Sequence, residues 1–85
     1  MEVRFTSSAI KELKRIGPGR DAILAKIEQY AADPTSLANN VKALRGSDQF
    51  RLRVGDHRVL FTVEEDGTLT VMLVEAIRHR REAYD

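Results

Sequence analysis

Arg51, Arg53 and Arg58 alternate with apolar residues on either side of Gly55-Asp56, in a run that reads FRLRVGDHRVLF over 50–61. Strict alternation is the pattern of a strand with one buried face, and Gly-Asp between two such runs marks a tight hairpin. With a two-residue loop, Val54 faces His57, Arg53 faces Arg58, Leu52 faces Val59 and Phe50 faces Phe61. The apolar residues of both strands then share one side of the sheet, and the three arginines share the other. Like charges set opposite one another in a sheet are destabilising, so folding alone does not account for this face. A polyanionic ligand does. Arginine stays protonated and presents a planar fork of donors matched to phosphate oxygens.

Other residues extend the constellation. Arg78 shares the strand parity of Met72 and Val74, so a continued last strand places it on the arginine face, beside Leu60 and Met72. Tyr84 follows closely and supplies a ring that stacks on a base or a hydroxyl that donates a hydrogen bond. Lys42, Arg45, Arg80 and Arg81 add positive charge around the hairpin and tail. His57 and His79 are the two side chains of the type that exchanges protons near neutral pH. His57 is expected to face Glu75 at the side of the sheet away from the arginines. His79, between Arg78 and Arg80, is a candidate proton acceptor. Two histidines so far apart, without a carboxylate cluster, give no metal-ligand spacing. Neither a glycine-rich phosphate loop nor a nucleophile elbow occurs.

The elements that must position these groups follow from the same patterns. Residues 2–6 read as a short strand with Val3 and Phe5 on one face. Ser7 or Ser8 caps a helix, with Glu12 assisting near the first turn and Ile10, Leu13 and Ile16 as its stripe. Gly17-Pro18 ends it. A second helix over 19–32 carries Ile23, Leu24, Ile27, Tyr30 and Ala31 inward, and Asp33-Pro34 stops it. Residues 35–47 read as a polar loop. Three strands follow at 49–54, 57–64 and 68–76. Glu65-Asp66-Gly67 as a three-residue loop pairs Val63 with Leu69, Phe61 with Val71 and Val59 with Leu73. Residues 79–84 form a short turn or helix. The expected fold is α+β: an N-terminal strand, a helical hairpin, then antiparallel strands forming one sheet with the helices on one face.

Bulk properties fit one small domain over 1–85. The absence of cysteine suits the cytoplasm and removes thiolate chemistry. The N-terminus is no signal peptide, and no apolar run spans a membrane. Net charge is only +1, yet Lys42, Arg45, Arg51, Arg53 and Arg58 face only Asp48 and Asp56 within 41–60. A local patch of one sign concentrates an oppositely charged ligand even when net charge is small.

On VKALRG at 41–46, FRLRVGDHRVLFTV at 50–63 and RHRREAY at 78–84, together with the element order, the chain resembles the RelE/ParE toxin superfamily of type II toxin–antitoxin modules. The resemblance covers nearly the whole chain and points to the RelE branch. It implies a ribosome-dependent endoribonuclease that cuts mRNA, needs no metal or other cofactor, and is neutralised by a cognate antitoxin. Operator DNA is then met only through the antitoxin complex. Carried over by position, Arg51 and Arg53 lie at the scissile phosphate, Arg58 and Arg78 hold and neutralise it, and Tyr84 orients the target nucleotide. Lys42, Arg45, Arg80 and Arg81 would contact RNA. Arginine essentially never deprotonates, so proton transfer falls to His79, Tyr84 or the ribosome. Two alternatives share the fold: a ParE-like toxin that poisons DNA gyrase through protein contacts, and an inactive module that only binds antitoxin.

Overall fold

The computed structural model describes residues 1–81 of the chain. Five strands form one mixed sheet in the order β1-β5-β4-β3-β2, where β1 is Glu2–Phe5, β2 Val41–Ala43, β3 Phe50–Val54, β4 His57–Asp66 and β5 Leu69–His79. β1 runs parallel to β5, and every other pairing is antiparallel. Two helices, α1 (Ser7–Ile16) and α2 (Arg20–Ala32), are separated by a 3-10 turn over Gly17–Gly19. α1 starts beside Glu75 and reaches Ile77 along the second half of β5, and the end of α2 returns to the Met1 amine, which donates to the Ala31 carbonyl at 2.7 Å. That is the expected helical hairpin, packed on one face.

The core lies between the hairpin and that face. Ala9, Leu13, Ile23, Ile27 and Ala31 from the helices meet Leu52, Val59, Phe61, Met72, Val74 and Ile77 from the strands. Phe61 is fully buried, with Tyr30 5.2 Å and Phe50 5.5 Å away between ring centroids. Burying an aromatic of this size contributes about 1.5–3 kcal/mol.

Several expectations are corrected. The N-cap of α1 is Thr6: its Oγ accepts from the Ala9 N–H at 3.1 Å and its hydroxyl donates to the Glu75 carbonyl. The helix therefore begins one or two residues earlier than a cap at Ser7 or Ser8 implies, and Ala9 takes the inward place given to Ile10, which is 41% exposed. The supposed loop at 35–47 holds a 3-10 segment, Pro34–Asn40, and the edge strand β2. Three residues are too few to show alternation, which is why β2 left no sequence signal.

The β4–β5 register also differs. Asp66 pairs with Leu69 around a two-residue loop, where Gly67 takes the positive φ of 64° that an L side chain disfavours. Phe61 therefore faces Val74 and Val63 faces Met72, so Met72 belongs to the core and not to the arginine face. Between Phe61↔Val74 and Leu60↔Ala76 the register shifts by one residue, leaving Glu75 as a bulge on β5. The bulge restores the facing of the strand end: Val59 meets Ile77 in the core, and Arg78 turns to the open face. The expected destination of Arg78 holds, though parity with Met72 is not its cause.

Candidate functional site

Arg53, Arg58 and Arg78 stand abreast on β3, β4 and β5. Arg53 pairs with Arg58, and Arg58 pairs with Arg78. One step out, Lys42 on β2 pairs with Arg51 on β3. Directly opposed residues on antiparallel strands have Cα atoms about 4.5–5.5 Å apart, so five cationic side chains rise from one small patch of sheet.

Each is held differently. Arg58, at the centre, is only 8% exposed and donates Nη1 to the Gly55 carbonyl at 3.2 Å and to the His57 carbonyl at 3.1 Å. Gly55, at φ 57°, shapes the turn that aims its carbonyl back at that guanidinium. Carbonyl oxygens orient the group without cancelling its charge. Arg78 lies at the margin, its Nε 3.5 Å from Glu12 Oε2 on α1. Lys42, Arg51 and Arg53 have no carboxylate partner among the described residues.

Asn39, Asn40, Val41, Lys42, Arg51, Arg53 and Arg58 line a cleft of about 410 Å³. No acidic side chain lines it. A cluster of cations around one buried, fixed guanidinium, with two neutral amides, suits an anion of phosphate size and a polar group beside it.

The remaining expected residues are placed as follows. His79 ends β5 on the helix side of the sheet, its ring 5.5 Å from that of His57 and edge-on to it. The pairing of His57 with Glu75 is thus replaced by His57 with His79, because the two-residue loop moves the whole β4–β5 register and the bulge moves the strand end one residue further. His79 Nδ1 accepts from the Arg81 N–H at 3.3 Å, and His79 shares a surface depression with Glu12, Arg15, Ile16, His57 and Ile77 rather than with the arginine cleft. Arg80 donates its N–H to the Asp56 carbonyl at 2.7 Å and carries its guanidinium 3.9 Å from the Asp56 carboxylate. Arg81 lies in the turn that follows β5, and Arg45 in the turn between β2 and β3. Tyr84 lies outside the described residues.

Three contributors were not anticipated. Asn39 and Asn40 enter the cleft because Pro34–Asn40 leads into β2. Glu12 meets Arg78 across the sheet edge. Recognising β2 from Val41-Lys42 would have revealed the asparagines; nothing local marks Glu12. No group of three or more His, Cys, Asp or Glu side chains able to hold a metal occurs among the described residues. Likewise, none of the described helices is long and apolar enough to cross a membrane.

Similar proteins give this geometry a context. The chain matches the solved structure of a YoeB/ParE toxin from Agrobacterium tumefaciens with a TM-score of 0.74 at 19% identity, over 93% of this chain and 98% of that one. It is similar to a chain of the RelBE2 toxin–antitoxin complex from Mycobacterium tuberculosis (TM-score 0.64, 28% identity, 93% and 96% covered). A chain of the RelB–RelE antitoxin–toxin complex from Methanococcus jannaschii is comparable, with a TM-score of 0.64 at 25% identity, over 95% of this chain and 94% of that one. No curated protein sequence matches. The family model for the ParE toxin of the type II toxin–antitoxin system parDE matches residues 3–84. The chain belongs to that family, within the RelE/ParE toxin superfamily, and is a toxin of a type II toxin–antitoxin system.

Proposed function

We propose that this toxin is a ribosome-dependent endoribonuclease that cuts mRNA. The observation that supports it most is the acid-free cleft around Arg58, a nearly buried guanidinium fixed by two carbonyls between Arg53 and Arg78. Poisoning gyrase through protein contacts requires no such site.

The chemistry is attack of a ribose 2′-oxygen on the adjacent phosphorus. A P–O bond to the 2′-oxygen forms as the bond to the 5′-oxygen of the next nucleotide breaks. The products are a 2′,3′-cyclic phosphate and a 5′-hydroxyl. One proton leaves the 2′-hydroxyl and one reaches the departing 5′-oxygen, so no water or redox partner is consumed. Arg51, Arg53 and Arg58 hold the phosphate and stabilise the charge that builds on its oxygens, with Arg78 completing the clamp. Lys42 steers the backbone, and Arg45, Arg80 and Arg81 extend contact with RNA. The cleft offers no carboxylate or imidazole to take the 2′-hydroxyl proton. His79 faces the other side of the sheet, so that step falls to Tyr84 or to a group of the ribosome.

The neighbours solved as RelBE2 and RelB–RelE assemblies support a cognate antitoxin as the protein partner, with operator DNA met through that complex. Gyrase inhibition is the second reading, favoured by the ParE family match. Sequencing the ends of mRNA fragments from a translating extract separates the two. Fragments with 5′-hydroxyl and cyclic phosphate ends that require ribosomes support cleavage.

A further inference from the structure

Resting on the assignment of Arg78 to the phosphate clamp, we propose that Glu12 of α1 is the positioning residue for Arg78. It tethers the guanidinium by Nε and leaves both terminal Nη groups to a phosphate. The tether arises from how the sheet ends. β1 stops at Phe5, opposite Val74, so the outer edge of β5 beyond that point has no strand neighbour. An unpaired edge N–H must find another acceptor. α1 runs along this edge, and Glu12 Oε1 accepts from the Ile77 N–H at 2.9 Å. Its second oxygen, Oε2, lies 3.5 Å from Arg78 Nε.

One carboxylate therefore serves two masters. The backbone bond fixes its rotamer, and the fixed rotamer presents the other oxygen to the next side chain. Glu12 is the more shielded partner, at 26% side-chain exposure against 43% for Arg78. Arginine carries five N–H donors in a rigid fork. With Nε drawn toward Glu12 in an ion pair, the edge bearing both Nη groups stays available for bidentate contact with phosphate. The same carboxylate offsets the repulsion from Arg58, directly across the ladder. Lys11 and Arg15 line the same depression as Glu12 and Arg78, yet Arg78 is the cation within ion-pair distance of the carboxylate among the described residues.

The test is a double-mutant cycle with Glu12→Gln and Arg78→Ala. Glutamine keeps an oxygen for the Ile77 N–H and loses the charge. We expect E12Q to fold with a melting temperature only slightly lowered yet lower kcat on the order of ten- to a hundredfold, as misplaced clamping groups do. R78A should lose at least as much, and the double variant no more than R78A alone. In NMR spectra of arginine side chains, the Arg78 Nε–H should exchange slowly in the wild type and rapidly in E12Q. Wild-type kcat in E12Q would overturn the proposal by reducing Glu12 to an edge acceptor. A gain in kcat would overturn it by showing that Glu12 withholds Arg78, and multiplying losses in the double variant would also overturn it. Absence of cleavage by the wild type would sink the nuclease reading instead; the tether then stands or falls on whether E12Q changes the Arg78 Nε–H exchange.

Discussion

Arg58 and Arg78 lie directly opposite one another on β4 and β5, and Arg53 flanks Arg58 on the other side. Three adjacent strands thus carry three arginines in one row. A sheet face selected for stability alone would alternate sign or use threonine.

The row should cost stability that a neutral residue restores. Arg53 is exposed and has no acidic partner among the described residues. Arg53→Thr is expected to raise unfolding free energy by about 0.2–1 kcal/mol, the scale of a cross-strand pair. The gain should shrink as salt screens the repulsion, while cleavage of mRNA falls. Urea denaturation at low and high ionic strength checks this. A destabilised variant would mean that the row is not strained.

Phe61 anchors the other face of the same strand. Truncation to Ala removes its contacts with Tyr30 and Phe50 and leaves a cavity under β4. The expected loss is about 3–5 kcal/mol by chemical denaturation. A near-neutral result would contradict the burial of this residue.

Tyr30 makes stability depend on alkaline pH. Burial raises its hydroxyl pKa above the ordinary 10.0. In the unfolded chain the phenol ionises near 10.0, whereas the folded protein holds it neutral to higher pH. Its contribution is therefore complete below about pH 10 and is lost as pH rises through the folded value. Tyr30→Phe should flatten the fall in stability above pH 10, measured by urea midpoints. An equally steep fall in the variant would assign the loss to other groups.

What could be read from the sequence depended on whether the pattern was local. The β3–β4 hairpin was legible residue by residue, because Gly55-Asp56 fixes the loop length and alternation fixes the face. The β4–β5 register was not. A one-residue bulge at Glu75 lets Met72, Val74 and Ile77 all face the core, and no periodic pattern encodes that irregularity. β2 escaped because a three-residue edge strand takes its structure from its neighbour. At the site, Arg51, Arg53 and Arg58 followed from the hairpin. The contact of Glu12 with Arg78 joins residues 66 positions apart in the chain (78 − 12 = 66) and exists only once α1 lies along the open edge of β5.

The central claim is that the Arg58 cleft cuts mRNA on the ribosome. The most direct measurement compares wild type, Arg58→Lys and Arg58→Ala in a translating extract, with and without ribosomes, alongside a gyrase supercoiling assay. Circular dichroism confirms that each variant is folded. The account predicts ribosome-dependent mRNA cuts by the wild type, a large loss in both variants because lysine cannot reproduce the guanidinium fork, and unaffected gyrase. Intact mRNA together with trapped gyrase–DNA complexes would contradict it.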